Sequence, residues 1–349
     1  MSRGTSVHLI MNEIDPAHCK PAHIVGWNAA DADLQFCRQI GLRWVRVLCG
    51  ELDPSVDTLR GVQQRLAGHG LRIWSAVHEA SRSPRIQLGQ PGRDEDLEIY
   101  RTFIHSLGAL GIPVAAYDFH PGNIYTTAHV AYHGYQVREF DLDVFLGQVQ
   151  ALRFGREIGG EEMWANYAYF LRAILPAAEE AGVLLALHPD DPPLAQMNGV
   201  ARLFYHVDGY RRALQLAGGS PSWGINLCVG TWSEGGERMG RSVEGMIDEF
   251  GRAGRIGDVH YRNVSGTLPH FVETLPDDGD VDMLAVMYAL CRAGYGGAIY
   301  PDHIPQLAGD DAFRRGGLAY AVAHMRAALQ RANTLLALDE KGRGEDDGR

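Results

Sequence analysis

The sequence predicts a single (β/α)8 barrel, in which eight parallel strands alternate with helices around one closed core. Short, mostly apolar runs recur at residues 6–11, 44–49, 71–78, 112–119, 183–188, 223–228, 256–263 and 297–303. Such runs are what strands buried on both faces look like. Stretches of helical period separate them. Glycine stands shortly before several of the runs, at Gly41, Gly70, Gly111, Gly182 and Gly294, where it suits a helix stop.

The helices follow in order. After Ser55, a natural cap, Val56, Leu59, Val62 and Leu66 fall on one face. Leu97, Tyr100, Ile104 and Leu107 mark a helix over 93–110. Residues 161–181 are rich in Ala, Leu and Glu, and 282–292 form a further helix before Gly294. A doubly wound open sheet is the competing architecture, but no GxGxxG follows an early strand. One connection stands apart: about forty residues separate the fourth strand from the helix near Glu161, a length that is usually functional. The expected architecture is therefore a barrel with a long inserted loop after strand 4. The loop carries Tyr125, Tyr132, His133, Tyr135, Arg138 and Phe140, which suits a lid over a polar substrate; an oligomer contact or a decorative hairpin is the alternative. Residues 1–335 are expected to form one catalytic domain, and 336–349 a charged, disordered tail.

Composition narrows the function. The 349 residues are 46% hydrophobic and 21% charged, with a formal net charge of −11. That balance fits a globular protein with a sizeable core and argues against nucleic-acid binding. Five cysteines without a CxxC pair point to a reducing compartment rather than a disulfide framework. No run is long and apolar enough for a membrane span, so the expected location is the cytoplasm.

The chemistry is expected where the last four strands end. Strands of such a barrel present their C-terminal ends on one rim, where the active sites of this architecture lie. Those ends carry His188, Cys228, His260 and Asp302. Two imidazoles, a thiol and a carboxylate are a sensible donor set for a divalent ion, and Zn2+, Fe2+, Co2+ and Mn2+ all suit it.

The same segments resemble the mannonate dehydratases. They contain His-Pro-Asp-Asp-Pro-Pro at 188–193, Cys228-x-Gly230, His260-x-Arg262-Asn263 and Pro301-Asp302-His303. The likeness extends through His78-Glu79, Leu88-Gly89, Arg93-Asp94, Tyr117, Phe271-x-Glu273 and Gly279-Asp280-Val281-Asp282-Met283, and covers roughly residues 70–305. It implies a barrel related to xylose-isomerase-like enzymes. The implied cofactor is Mn2+, held by His188, Cys228, His260 and Asp302, with His303 as the acid/base group. The implied reaction is dehydration of D-mannonate, or a related aldonate, to 2-keto-3-deoxy-D-gluconate in hexuronate catabolism. The chain departs from the family pattern in three places. Tyr300 stands where the family has Arg, Arg314-Arg315-Gly316-Gly317 replaces a Pro-Gly-Tyr-Gly stretch, and Ile124-Tyr125-Thr126-Thr127 replaces Trp-x-Arg-Thr.

Removing the proton α to a carboxylate requires a base, an acid for the departing hydroxyl, and stabilisation of the charge that develops. The catalytic candidates are His303, Asp190 and Arg262, the last being either a carboxylate clamp or a structural salt bridge. The substrate-binding candidates are His78, Asp191, His270, Glu273 and Tyr125. The expected partner is a small sugar acid, with self-association into a homo-oligomer open. The alternatives are a metal-dependent sugar isomerase or epimerase, a β-elimination lyase on another sugar-derived substrate, and a metal-holding paralogue without turnover.

Overall fold

The computed structural model describes residues 19–122, 126–148 and 152–346. Eight parallel strands close a barrel in sequence order: β1 (Lys20–Gly26), β2 (Trp44–Leu48), β3 (Arg72–Val77), β4 (Val114–Tyr117), β5 (Leu184–Leu187), β6 (Trp223–Cys228), β7 (Ile256–His260) and β8 (Ala298–Tyr300). Lys20 pairs with Ala298, which closes the ring.

The expected strand at residues 6–11 lies outside the described residues, and the barrel's first strand is β1 instead. Lys20, Pro21 and His23 hide it from an apolar-run search. Lys20 is nonetheless buried, its ammonium 4.9 Å from the centroid of the Trp74 ring, so the cation enters the barrel floor on an aromatic face. The seventh strand, expected over 256–263, leaves the barrel after His260.

The main helices are α1 (Asp31–Gln39), α2 (Val56–Gly68), α3 (Arg93–Ala109), α4 (Gly160–Ala181), α5 (Val207–Leu216), α6 (Met283–Arg292) and α7 (Arg315–Asp346). The Ser55 hydroxyl accepts the Thr58 N–H at 3.4 Å and caps α2. Gly182 ends α4 in a left-handed conformation, φ 65°, which a side chain would oppose. Leu318, Val322 and Met325 anchor α7 in the core, and α7 packs along α6. The helix continues through 336–346, where a disordered tail is expected from the charge pattern; once the buried turns have nucleated it, each added residue costs little.

The connection after β4 is a hairpin rather than an open loop. Its strands Ala128–Tyr132 and Tyr135–Asp141 meet at a two-residue turn, His133 (φ 46°) and Gly134 (φ 94°). The strand Tyr135–Asp141 pairs antiparallel with His270–Thr274, which pairs in turn with Asn263–Thr267, the continuation of the chain beyond β7. Phe140 stacks on Phe271 with ring centroids 5.4 Å apart. The hairpin is thereby tied to the chain leaving β7. No helix of the described residues is long and apolar enough to cross a membrane.

Candidate active site

Alternation along the last strands turns Asn226 and Cys228 of β6, Asp258 and His260 of β7, and Tyr300 of β8 toward the barrel axis. His188 follows β5 directly. The ligating atoms of His188, Cys228 and His260 lie within 4.8 Å of one another. Asp302 is not one of that trio, but its Oδ1 is 3.3 Å from His260 Nδ1. It reaches there from a left-handed backbone, φ 57°, just past β8. His188 Nδ1 is 2.7 Å from the Pro189 carbonyl oxygen, which places the proton on Nδ1 and leaves the Nε2 lone pair facing His260.

The donor set fits a divalent cation. Burial alone would raise the Cys228 thiol's pKa, but the Arg262 guanidinium and a hydrogen bond with His260 outweigh it and hold it below its usual value. Burial likewise opposes ionisation of Asp302, but His260, His303 and Arg262 hold that carboxyl well below the ordinary range. Burial lowers the pKa of His188, favouring the neutral, ligating form.

Arg262 is the hub beside this cluster. Its guanidinium lies 2.8 Å from Asp191, 2.9 Å from Glu234 and 3.2 Å from Asp302, hydrogen-bonds Glu273, and is 3.4 Å from Cys228 Sγ. The hub needs Gly230, because a Cβ there would overlap Arg262 Nε. Burial opposes ionisation of Asp191, yet Arg262 and nearby imidazoles bring its pKa down to about 2. Glu234 is the opposite case: burial and the Asp191 charge raise its pKa well above that of a normal carboxyl, more than Arg262 offsets.

His303 stands next to Asp302. Its Nδ1 is 2.6 Å from Glu273 Oε1, which turns Nε2 toward Arg138. Burial would depress its pKa, but Asp302 and Glu273 raise it overall. Arg138 of the hairpin lies over the same ring, its Nη1 3.2 Å from Nε2 and 3.4 Å from Nδ1.

Beneath the cluster lies a polar layer that the sequence reading misses. Arg46 of β2 donates to Asp258 at 2.5 Å and lies 2.7 Å from His260 Nε2, while His260 Nδ1 is 3.3 Å from both His188 Nε2 and Asp302 Oδ1. Tyr300 bonds Asp258 through its hydroxyl at 3.1 Å and lies under the Arg46 guanidinium. An arginine inside the apolar run Trp-Val-Arg-Val-Leu was the available signal for this layer. Glu234, in a short buried helix after β6, had no comparable signal.

Several expected roles change. His78 spends both ring nitrogens on backbone, at the Leu52 carbonyl (2.8 Å) and the Ala80 N–H (3.1 Å), so neither serves a substrate. His270 faces outward from its strand and pairs with Glu139 at 2.9 Å. Asp190 is buried; it accepts the Phe204 N–H at 2.6 Å and sits 3.3 Å from Arg202, so it anchors a loop rather than moving protons. Asp191 and Glu273 reach the site as partners of Arg262, and Glu273 also meets His303. Arg262 is saturated by protein carboxylates, the structural alternative for that residue rather than an open clamp. Tyr125 lies outside the described residues.

A family profile for D-mannonate dehydratase matches residues 143–334. The mannonate dehydratase of Streptococcus pneumoniae (strain 70585) is 32% identical over 283 residues, covering 73% of this chain and 75% of that protein. The crystal structure of mannonate dehydratase from Streptococcus suis serotype 2 superposes with a TM-score of 0.76 at 27% identity, over 90% of this chain and 95% of that one. D-psicose 3-epimerase from Clostridium cellulolyticum H10 shares the fold, with a TM-score of 0.60 at 14% identity over 89% and 99% of the two chains.

Proposed function

The chain belongs to the mannonate dehydratase family of hydro-lyases, and from that premise we propose that it is a metal-dependent sugar-acid dehydratase. The proposed reaction converts D-mannonate, or a closely related aldonate, to 2-keto-3-deoxy-D-gluconate and water in the cytoplasmic breakdown of hexuronates. The observation that carries this reading is the adjacency of a soft-and-hard donor set, His188, Cys228, His260 and Asp302, to the His303–Glu273 pair.

The four donors would hold Mn2+, with Fe2+, Co2+ or Zn2+ as chemically suitable substitutes. A divalent cation there supplies Lewis-acid polarisation of the substrate's carboxylate, which offsets the charge that appears as the α-proton leaves. The protein's own groups do the rest. Glu273 holds His303 by Nδ1 and directs Nε2 into the site, and the raised basicity of His303 suits it to take up and return a proton. Arg262 keeps Glu273, Asp191 and Asp302 in fixed orientations without giving up a proton itself. Loss of the C2 proton and the C3 hydroxyl, together one water, leaves an enol that tautomerises to the 2-keto-3-deoxy acid.

The test is a panel of aldonates incubated with Mn2+-loaded protein. At least one is expected to yield a 2-keto-3-deoxy acid. No keto-acid from any of them, with isomerised product from a parallel aldose and ketose panel, rejects the dehydratase in favour of an isomerase or epimerase.

A further inference from the structure

Cationic side chains around the rim differ in one respect. Arg262 is surrounded by four carboxylates, Arg46 is paired with Asp258, Arg82 with Asp118 and Glu79, and Arg202 with Asp190. Arg138 has no carboxylate within 4.0 Å among the described residues. Its register places it one step beyond the Val272–Glu139 pair, across from Glu273 and on the same face of the sheet. The guanidinium therefore projects from the hairpin toward His303.

Arg138 and Glu273 also line a cavity of about 20 Å³, together with His129, Gln136 and Arg314. That space takes roughly one water-sized group. Arg314, the other guanidinium in the wall, donates to the Ile304 carbonyl. Of the two guanidiniums in the wall, Arg138 is the one beside the imidazole, its Nη1 3.2 Å from His303 Nε2. A guanidinium suits a carboxylate, because its planar fork gives two parallel N–H···O bonds to the two oxygens.

We infer that Arg138 receives the carboxylate of the sugar acid, so that the hairpin selects acids. This assignment rests on the reading of the site as a sugar-acid dehydratase.

Calorimetric titration of the Mn2+-loaded full chain with D-mannonate tests it, comparing wild type with Arg138→Gln and Arg138→Lys, and Mn2+ affinity is measured separately by electron paramagnetic resonance. A charge-assisted pair predicts about a 10- to 100-fold loss of mannonate affinity in Arg138→Gln. Arg138→Lys should recover part of that loss, and Mn2+ affinity should be unchanged in both. Unchanged mannonate affinity in Arg138→Gln overturns the assignment. So does a parallel fall in Mn2+ affinity, which marks a structural role, or a Lys variant no better than Gln. If wild type converts no aldonate, the functional reading falls, and the same titration with any acid that binds still decides Arg138. An acid panel in which nothing binds wild type overturns both.

Discussion

Glu273 places one carboxylate oxygen 2.6 Å from Nδ1 of His303 and brings that same oxygen to the Arg262 guanidinium. The imidazole proposed to handle protons is thus oriented by a carboxylate that is itself held by the central arginine.

Replacing Glu273 by Gln should lower the pKa of His303. Burial already pulls it down, and Asp302 and Glu273 are what raise it. The limb of the pH–rate profile that belongs to His303 should move to lower pH in the variant. The stability contribution has a definite sign. With the folded pKa raised, it is whole below the ordinary histidine value and is lost as pH rises through the folded one. Glu273→Gln should reduce that loss on the alkaline side. His303→Asn should keep its metal and lose about 10²- to 10⁴-fold in turnover. Full activity in that variant would move the acid/base role elsewhere.

Metal content separates ligands from neighbours. Cys228→Ser and His260→Ala should each lose bound divalent metal by elemental analysis, whereas Cys37→Ser should retain it. Cys37 is buried in α1, its thiol pushed up to about 12 by burial, and behaves as a small apolar side chain. A Cys228→Ser protein with a full complement of metal would remove that thiol from the donor set.

Arg262→Met should be costly at neutral pH, about 3–5 kcal/mol, because it strands buried carboxylates without a counter-charge. In wild type, Asp191 ionises at about 2, so its contribution is complete above the ordinary carboxyl pKa and is lost only as pH falls through about 2. Without the guanidinium the same buried carboxyls should titrate above their ordinary values. The variant's deficit should then shrink between pH 7 and pH 5.5 in chemical denaturation. A deficit independent of pH would mean that packing, not charge, dominates.

Gly230→Ala tests how tightly the guanidinium is seated. The added methyl overlaps Arg262 Nε and should cost about 1–3 kcal/mol. Combined with Arg262→Ala, the two penalties should fall short of additive, because the second change removes the atoms that the first strikes. An unaltered melting temperature in the single variant would show that Arg262 has room to shift.

Much of the fold is legible along the chain because the barrel strands are short apolar runs ended by polar rim residues; the run at 223–228 coincides with β6. The first strand is hidden by a lysine that no local pattern would bury. At the site, His188, Cys228 and His260 can be brought together from strand order and alternation alone. What sequence distance conceals is pairing across the barrel, such as Arg46 with Asp258 or Arg262 with Glu234. The error over His270 has the same origin. It and Glu273 share one strand with opposite parity, so only one of them can face inward, and that strand exists only because the hairpin pairs with it.

The Phe140–Phe271 stack has a consequence for the sign of charge above the barrel mouth. Adjacent positions on the hairpin strand are Arg138 and Glu139, of opposite charge, and a slip of one residue exchanges the faces of a strand. Two rings without a polar atom between them help to hold the register that sets Arg138, not Glu139, beside His303. A slip of one residue at that stack would put Glu139 where Arg138 now faces His303, with every rim residue still in place.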